Sequence, residues 1–114
     1  MSEFLYVFRG GERANSPEEM QAGMQKWIAW MKELGQKGHF KGGEPLERGG
    51  AVVKGREKHV TDGPYAEAKD VVGGYLLVQA RDLAEAVALS KGCPILEEDG
   101  TVEVRQIMQM PKPS

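Results

Sequence analysis

Among the ionisable side chains of this 114-residue sequence, a handful stand in a context that suits moving a proton or holding an anion. Its two histidines, His39 and His59, are the side chains whose charge can change near neutral pH. Asp62 stands in the run Val60-Thr61-Asp62-Gly63-Pro64-Tyr65-Ala66-Glu67. Asp-Gly-Pro suits a turn in which the carboxylate accepts backbone N–H bonds two residues on and the proline holds Gly63 extended. The same turn would aim the carboxylate into a cleft, as a general base or as the orienting partner of an imidazole. Both readings of Asp62 stand. His39, between Gly38 and Phe40, is either a solvated loop residue or an acid–base group that its loop folds over a sheet. His59, next to Lys58, falls at an exposed hairpin position. Arg9 could grip a carboxylate or enolate in bidentate fashion, or simply pair with Glu103 at the end of a sheet. Tyr65 and Glu67 are secondary ligand-binding candidates, with wedge packing and a helix-turn acid as their structural alternatives. Cys93 precedes Pro94 at a helix C-terminus, where the dipole disfavours a thiolate, and reads as a packed thiol.

Composition narrows the chemistry further. Hydrophobic residues make up 40% of the chain, charged residues 28% and aromatic residues 7%, a globular balance with a modest, mostly aliphatic core. A net charge of −2 with an isoelectric point near 5.7 supplies no field to collect nucleic-acid phosphates or anionic lipid. No apolar run approaches the ~20 residues that cross a bilayer, and Met-Ser-Glu-Phe-Leu-Tyr lacks the regions of a signal peptide, so the expected location is cytoplasmic. A single cysteine excludes an intramolecular disulfide, and a four-ligand zinc site would have to recruit carboxylates; no metal and no cofactor are expected. Gly42-Gly43 and Gly73-Gly74 lack the context of a nucleotide-binding loop.

The elements that must position these groups follow from periodicity. Glu3 to Arg9 is a strand with Phe4, Tyr6 and Phe8 on one face and Leu5 and Val7 on the other, apolar on both. Ser16-Pro17-Glu18-Glu19 starts a helix with a capping hydroxyl, an N1 proline and first-turn acids. Met20, Met24, Trp27, Ile28, Met31 and Leu34 form its apolar stripe, with Trp30 one position off, and glycines near Gly35 or Gly38 end it. Gly38 to Gly50 has no period and is expected to be a loop of functional length. Ala51-Val52-Val53 is a short strand that pairs with His59-Val60-Thr61 across the Gly55-Arg56 region. One helical turn is expected within Tyr65 to Lys69, then a strand within Val71 to Ala80, again apolar on both faces. Asp82 and Glu85 open a second helix that runs to Gly92-Cys93-Pro94, and Thr101 to Met108 is the last strand.

The order β-α-β-(β)-β-α-β is the split βαβ arrangement of an α+β, ferredoxin-like fold: an antiparallel sheet with two helices on one face. It is expected to occupy residues 1–110 as one domain, with 111–114 as a frayed tail. Two helices cover one sheet face only, so the second apolar face predicts a homodimer stacked sheet against sheet.

At Val60 to Glu67 the sequence resembles the YCII-related domains of the DGPF type, with Tyr65 where the name-giving motif has Phe. The resemblance continues through Gly73-Gly74-Tyr75, Lys91-Gly92-Cys93-Pro94 and Val102 to Ile107, and Gly38 to Leu46 is similar to one subgroup. It implies a ferredoxin-like fold in the dimeric α/β-barrel superfamily. It also implies a site built on a His–Asp pair, of the kind suspected in YCII-like relatives, and an association with extracytoplasmic-function sigma factors. The first helix, where many YCII relatives carry their histidine, has none here, which leaves His39 and His59 to fill that role. Two functions compete. One is cofactor-free acid–base chemistry of lyase or isomerase type on a small anionic molecule, in a polar cleft near the Asp-Gly-Pro motif with His39 and Asp62 exchanging protons. The other is a non-catalytic ligand-binding or regulatory module, with a sigma factor as partner.

Overall fold

A computed structural model describes residues 1–11, 15–63 and 70–111. In chain order the elements are β1 (Ser2–Arg9), α1 (Pro17–Gln36), β2 (Phe40–Pro45), β3 (Gly50–Lys54), β4 (His59–Gly63), β5 (Val72–Ala80), α2 (Leu83–Ser90), a 3-10 turn (Pro94–Glu98) and β6 (Thr101–Gln106). β2, β5, β1 and β6 lie in that order in one antiparallel four-stranded sheet, while β3 and β4 form a separate two-stranded sheet. This is the α+β, ferredoxin-like arrangement expected. Among the described residues no helix is long and apolar enough to cross a membrane.

Both helices begin as their sequences dictate. Ser16 Oγ accepts the Glu19 N–H at 3.1 Å and Glu19 Oε2 accepts the Asn15 N–H at 2.8 Å, so hydroxyl and carboxylate satisfy donors that the first turn leaves free. α2 repeats the device: Asp82 Oδ1 takes the Glu85 N–H at 2.9 Å and Glu85 Oε1 takes the Arg81 N–H at 2.8 Å.

The core lies between the sheet and the helices. Phe4, Tyr6 and Phe8 of β1 and Leu76, Val78 and Ala80 of β5 point into it, against Trp30, Leu34, Ala86, Cys93 and Ile95. Tyr6 stacks on Trp30 with ring centroids 6.1 Å apart, and its hydroxyl donates to Ala86 O. Trp30 Nε1–H donates to Leu89 O at 3.3 Å, which ties α1 to α2. Here the expected ranking of the tryptophans is reversed: Trp30 is 6% exposed, whereas Trp27 packs only partly buried at the margin. The line that meets the sheet is Trp27, Trp30, Met31 and Leu34, an i, i+3, i+4, i+7 set, and Met20, Met24 and Ile28 fall on its flank.

A second correction concerns residues 38–50. The expected loop contains β2, the second strand of the main sheet, with Phe40 opposite Val78 and Pro45 opposite Gly74. Glycine is a poor strand former in isolation, but here it is required: a Cβ on Gly43 would lie 2.3 Å from Tyr75 O and 2.4 Å from Leu76 Cδ2. The expected hairpin is present, with Lys54 opposite His59 and Ala51 opposite Asp62, closed by a turn in which the Lys58 N–H donates to Gly55 O. It stands apart from the main sheet, however, and Asp62 is a strand residue instead of a turn residue.

Candidate functional site

A cleft of about 550 Å³ lies between the first half of α1 and the sheet, where the ends of β1 and β2 meet the start of β5. Its cause is the anchoring of α1. Trp30 and Leu34 are buried and hold the second half of the helix down, whereas Met20 and Met24 in the first half are 59% and 58% exposed. Gly23 faces open space on this side, since a Cβ there would meet nothing within 4 Å. Phe8, Met24, Trp27, Ile28 and Leu76 give the walls their apolar character, and Gly43, Gly73 and Gly74 bring bare backbone to the lining. Phe8 and Trp27 meet edge to face, with ring centroids 5.0 Å apart. The ionisable lining groups are Glu19, Glu44, Glu98 and Tyr75, with no basic side chain among the described lining residues. Such a lining suits a largely apolar molecule better than an anion.

Sequence reasoning assigned Phe8, Trp27 and Met31 to the core and Glu19 to the first turn of a helix, and so missed the cleft they border. The available signal was Gly23. A glycine in the middle of a helix costs about 1 kcal/mol relative to Ala and calls for a packing or functional reason.

Of the candidates named from the sequence, His39, His59, Asp62 and Arg9 are not among the lining residues of this cleft. His39 is half-buried where α1 hands over to β2: its N–H donates to Leu34 O and its carbonyl accepts the Gln79 N–H, each at 2.8 Å. Its ring Nδ1 lies 2.8 Å from Gln79 O, an acceptor only, so Nδ1 carries the proton and Nε2 is left as the free nitrogen. Asp62 is exposed on β4, and among the described hydrogen bonds none joins it to His39. His39 precedes one end of β2, while the chain leaves for the hairpin from the other end, on the order of 15–20 Å along the strand. His59 is exposed at the start of β4.

Arg9 takes the simpler of its two expected roles. It lies on the same face of β1 as Leu5 and Val7, and its Nη1 donates to Glu103 Oε1, while Arg105 Nη1 donates to Glu103 Oε2 at 3.3 Å. The Arg9 bond first, and then that of Arg105, holds the Glu103 carboxyl below its usual range. Tyr65 and Glu67 lie outside the described residues. Burial pushes the Cys93 thiol up to about 12, which suits its reading as a packed thiol. Among the described residues, no group of three or more His, Cys, Asp or Glu side chains gathers in a way that could hold a metal ion.

No curated protein matches the sequence. Among solved structures, the fold is similar to that of 5-chloro-2-hydroxyhydroquinone dehydrochlorinase (TftG) from Burkholderia phenoliruptrix AC1100, in complex with 2,5-dihydroxybenzoquinone. That likeness has a TM-score of 0.51 at 16% identity and covers 94% of this chain and 95% of that chain; at such identity it bears on the fold alone. The sequence pattern of the YCII-related domain runs through residues 4–111, in step with β1 to β6 and the helices between them, and the chain therefore belongs to the YCII-related domain family.

Proposed function

We propose that the α1–sheet cleft binds a small, uncharged, ring-bearing molecule and that this chain acts on it by cofactor-free proton transfer of lyase or isomerase type. The observation that carries the proposal is the cleft itself: aromatic and methionine walls, glycine backbone at its lining, and carboxylates as its titratable groups. An anion, the substrate class expected from the sequence, would meet Glu19, Glu44 and Glu98, so a neutral phenol, quinone or cyclic ketone fits better. Support for a ring-bearing molecule, though not for its lack of charge, comes from the fold of TftG, a dehydrochlorinase whose complex holds a quinone. Within the family we place the chain in the DGPF type, as one domain over residues 1–110, cytoplasmic, and homodimeric through the sheet face that carries Leu5, Val7 and Leu77. Asp62 and His39 remain the proposed proton-transfer pair, with Arg9, Tyr65 and Glu67 as ligand-binding candidates; in a homodimer the pair need not come from one chain.

A binding module without turnover is the second reading, and the sigma-factor association belongs to it. The observation in its favour is that one ring nitrogen of His39 is taken up by the Gln79 carbonyl.

Thermal-shift screening of phenols, quinones and cyclic ketones tests both. A ligand at 100 times its Kd should add about 2.7 kcal/mol of stability. Gly23→Leu should abolish that shift while leaving the fold intact, because it fills the cleft and replaces a helical glycine by a better helix former. An undiminished shift in Gly23→Leu would remove the cleft from consideration. NMR of the incubated ligand then separates the readings: a converted product favours the enzyme, and unchanged ligand the binding module.

A further inference from the structure

Among the described residues three carboxylates border the cleft, and they differ in what surrounds them. Glu19 and Glu44 are exposed, and Glu19 Oε2 already accepts the Asn15 N–H. Glu98 is half-buried, and among the described residues no hydrogen bond or ion pair engages it. Its mount is firm. Glu98 ends the 3-10 turn Pro94–Glu98; Asp99 follows in the left-handed region at φ 59°, and its N–H and that of Gly100 both return to Ile95 O, the latter at 2.9 Å. Ile95 is buried and packs so closely on Gly100 that a Cβ there would lie 2.4 Å from Ile95 Cγ1. On the other side Glu97 Oε2 accepts from Lys26 Nζ at 3.1 Å, which ties the turn to α1. Glu98 Oε2 stands beside Gly11, 3.5 Å from where a Cβ would be, and so belongs to the end of the cleft lined by Phe8 and Gly10. The carboxylate is also close enough to the buried Cys93 thiol to add to the rise that burial, the larger cause, produces there.

Filling the cleft strips water from a carboxylate so placed. A ligand without a donor leaves it desolvated and unpartnered, whereas an O–H set against it forms a charge-assisted hydrogen bond, about twice as strong as a neutral one. The side-chain donors on the lining are the Trp27 indole N–H and the Tyr75 hydroxyl, both uncharged. A ring carbonyl can gain only a neutral hydrogen bond from these side chains, and a ring hydroxyl gains the stronger one from Glu98.

We propose that Glu98 is the specificity-determining residue of the cleft: it accepts the O–H of a ring-borne hydroxyl, so that among neutral ring compounds the site selects phenols over quinones, cyclic ketones and aryl ethers. This rests on the cleft being the ligand site and narrows the class of molecule it takes.

The test is a cycle of two probes against wild type and variant. 2-Naphthol and 2-methoxynaphthalene share ring and oxygen and differ in the donor. Their dissociation constants, from NMR titration of the full chain, should differ at least about tenfold in favour of 2-naphthol. In Glu98→Leu, which keeps bulk and removes the acceptor, the two should bind within about twofold of each other, and Glu98→Gln, which keeps a neutral acceptor, should fall between. Glu97→Leu, an exposed neighbour outside the lining, should retain the wild-type preference. Should Glu98→Leu fail to fold, Glu98→Gln decides alone: a preference reduced at least about threefold supports the proposal and an undiminished one overturns it. A wild type indifferent to the hydroxyl, or a preference that survives Glu98→Leu, overturns the role of Glu98 while the cleft stands as the ligand site, provided that Gly23→Leu abolishes binding of both probes. If neither probe binds the wild type, or both still bind Gly23→Leu, the reading of the cleft falls and the role of Glu98 with it.

Discussion

Phe4 and Val78 face each other across β1 and β5 with no exposed surface, whereas Val53 and Val60 face each other across β3 and β4 with more than half of theirs in water. Both are antiparallel apolar pairs. A cross-strand pair contributes roughly 0.2–1 kcal/mol, and full burial of one such side chain about 1.5–3 kcal/mol. What distinguishes the two regions is therefore the layer above the strands. β1 and β5 have Trp30, Leu34 and Ala86 over them, whereas in β3 and β4 every residue is exposed except Val52 and Gly63, which are half-buried. Strand pairing sets register in both places, and in the body it is joined by the burial that makes pairing durable.

A carboxylate placed in each region gives the largest contrast. Val78→Glu should unfold the chain, because an unpaired charge in the core costs several kcal/mol. Val60→Glu should leave the body's melting temperature within a degree or two, since the residue is exposed. Far-UV circular dichroism on heating checks both. Next in size, Trp30→Ala should cost about 3–5 kcal/mol and Trp27→Ala less than half of that, in denaturant titration. Equal losses would mean that α1 is rotated relative to the sheet. The smallest effect concerns the hydroxyl buried between sheet and α2. Tyr6→Phe should cost about 1–2 kcal/mol, by removing the donor that Ala86 O accepts. Burial, and secondarily Cys93, pushes the Tyr6 phenol up to about 12 from its ordinary 10.0. Folded values raised in this way stabilise fully below the unfolded values and cease to as pH rises toward 12. Melting temperature should accordingly fall from about pH 9, where an unfolded cysteine begins to ionise, and Tyr6→Phe should fall less steeply.

The sequence was most readable where local signals and tertiary demands agree. Ser16, Pro17 and Glu19 mark the start of α1 and do the capping their types suggest; Phe4, Tyr6 and Phe8 alternate as a half-buried strand must. β2 was hidden because Gly42-Gly43-Glu44-Pro45 has turn composition, and the reason for it, the close approach of β5, is a fact of tertiary structure. The tryptophans were ranked wrongly because Met20, Met24 and Ile28 widen the apolar arc of α1, so that its centre is not the line that touches the sheet. For the site, the sequence offered titratable residues, and the cleft is made mainly of residues that do not titrate. Periodicity assigns an apolar side chain to the inside without saying whether it meets a neighbour or a void.

The outer border of β2 has a further consequence. This strand ends the sheet, its register slips between Phe40 and Gly42, and its last residue is a proline without an N–H to offer. Another strand laid along it would find a broken ladder with Lys41 in its path. Edge-to-edge polymerisation, the common hazard of a sheet with apolar faces, is therefore discouraged at this border. The molecule exposes apolar side chains along α1 yet is unreceptive at the sheet border where a fibre would begin.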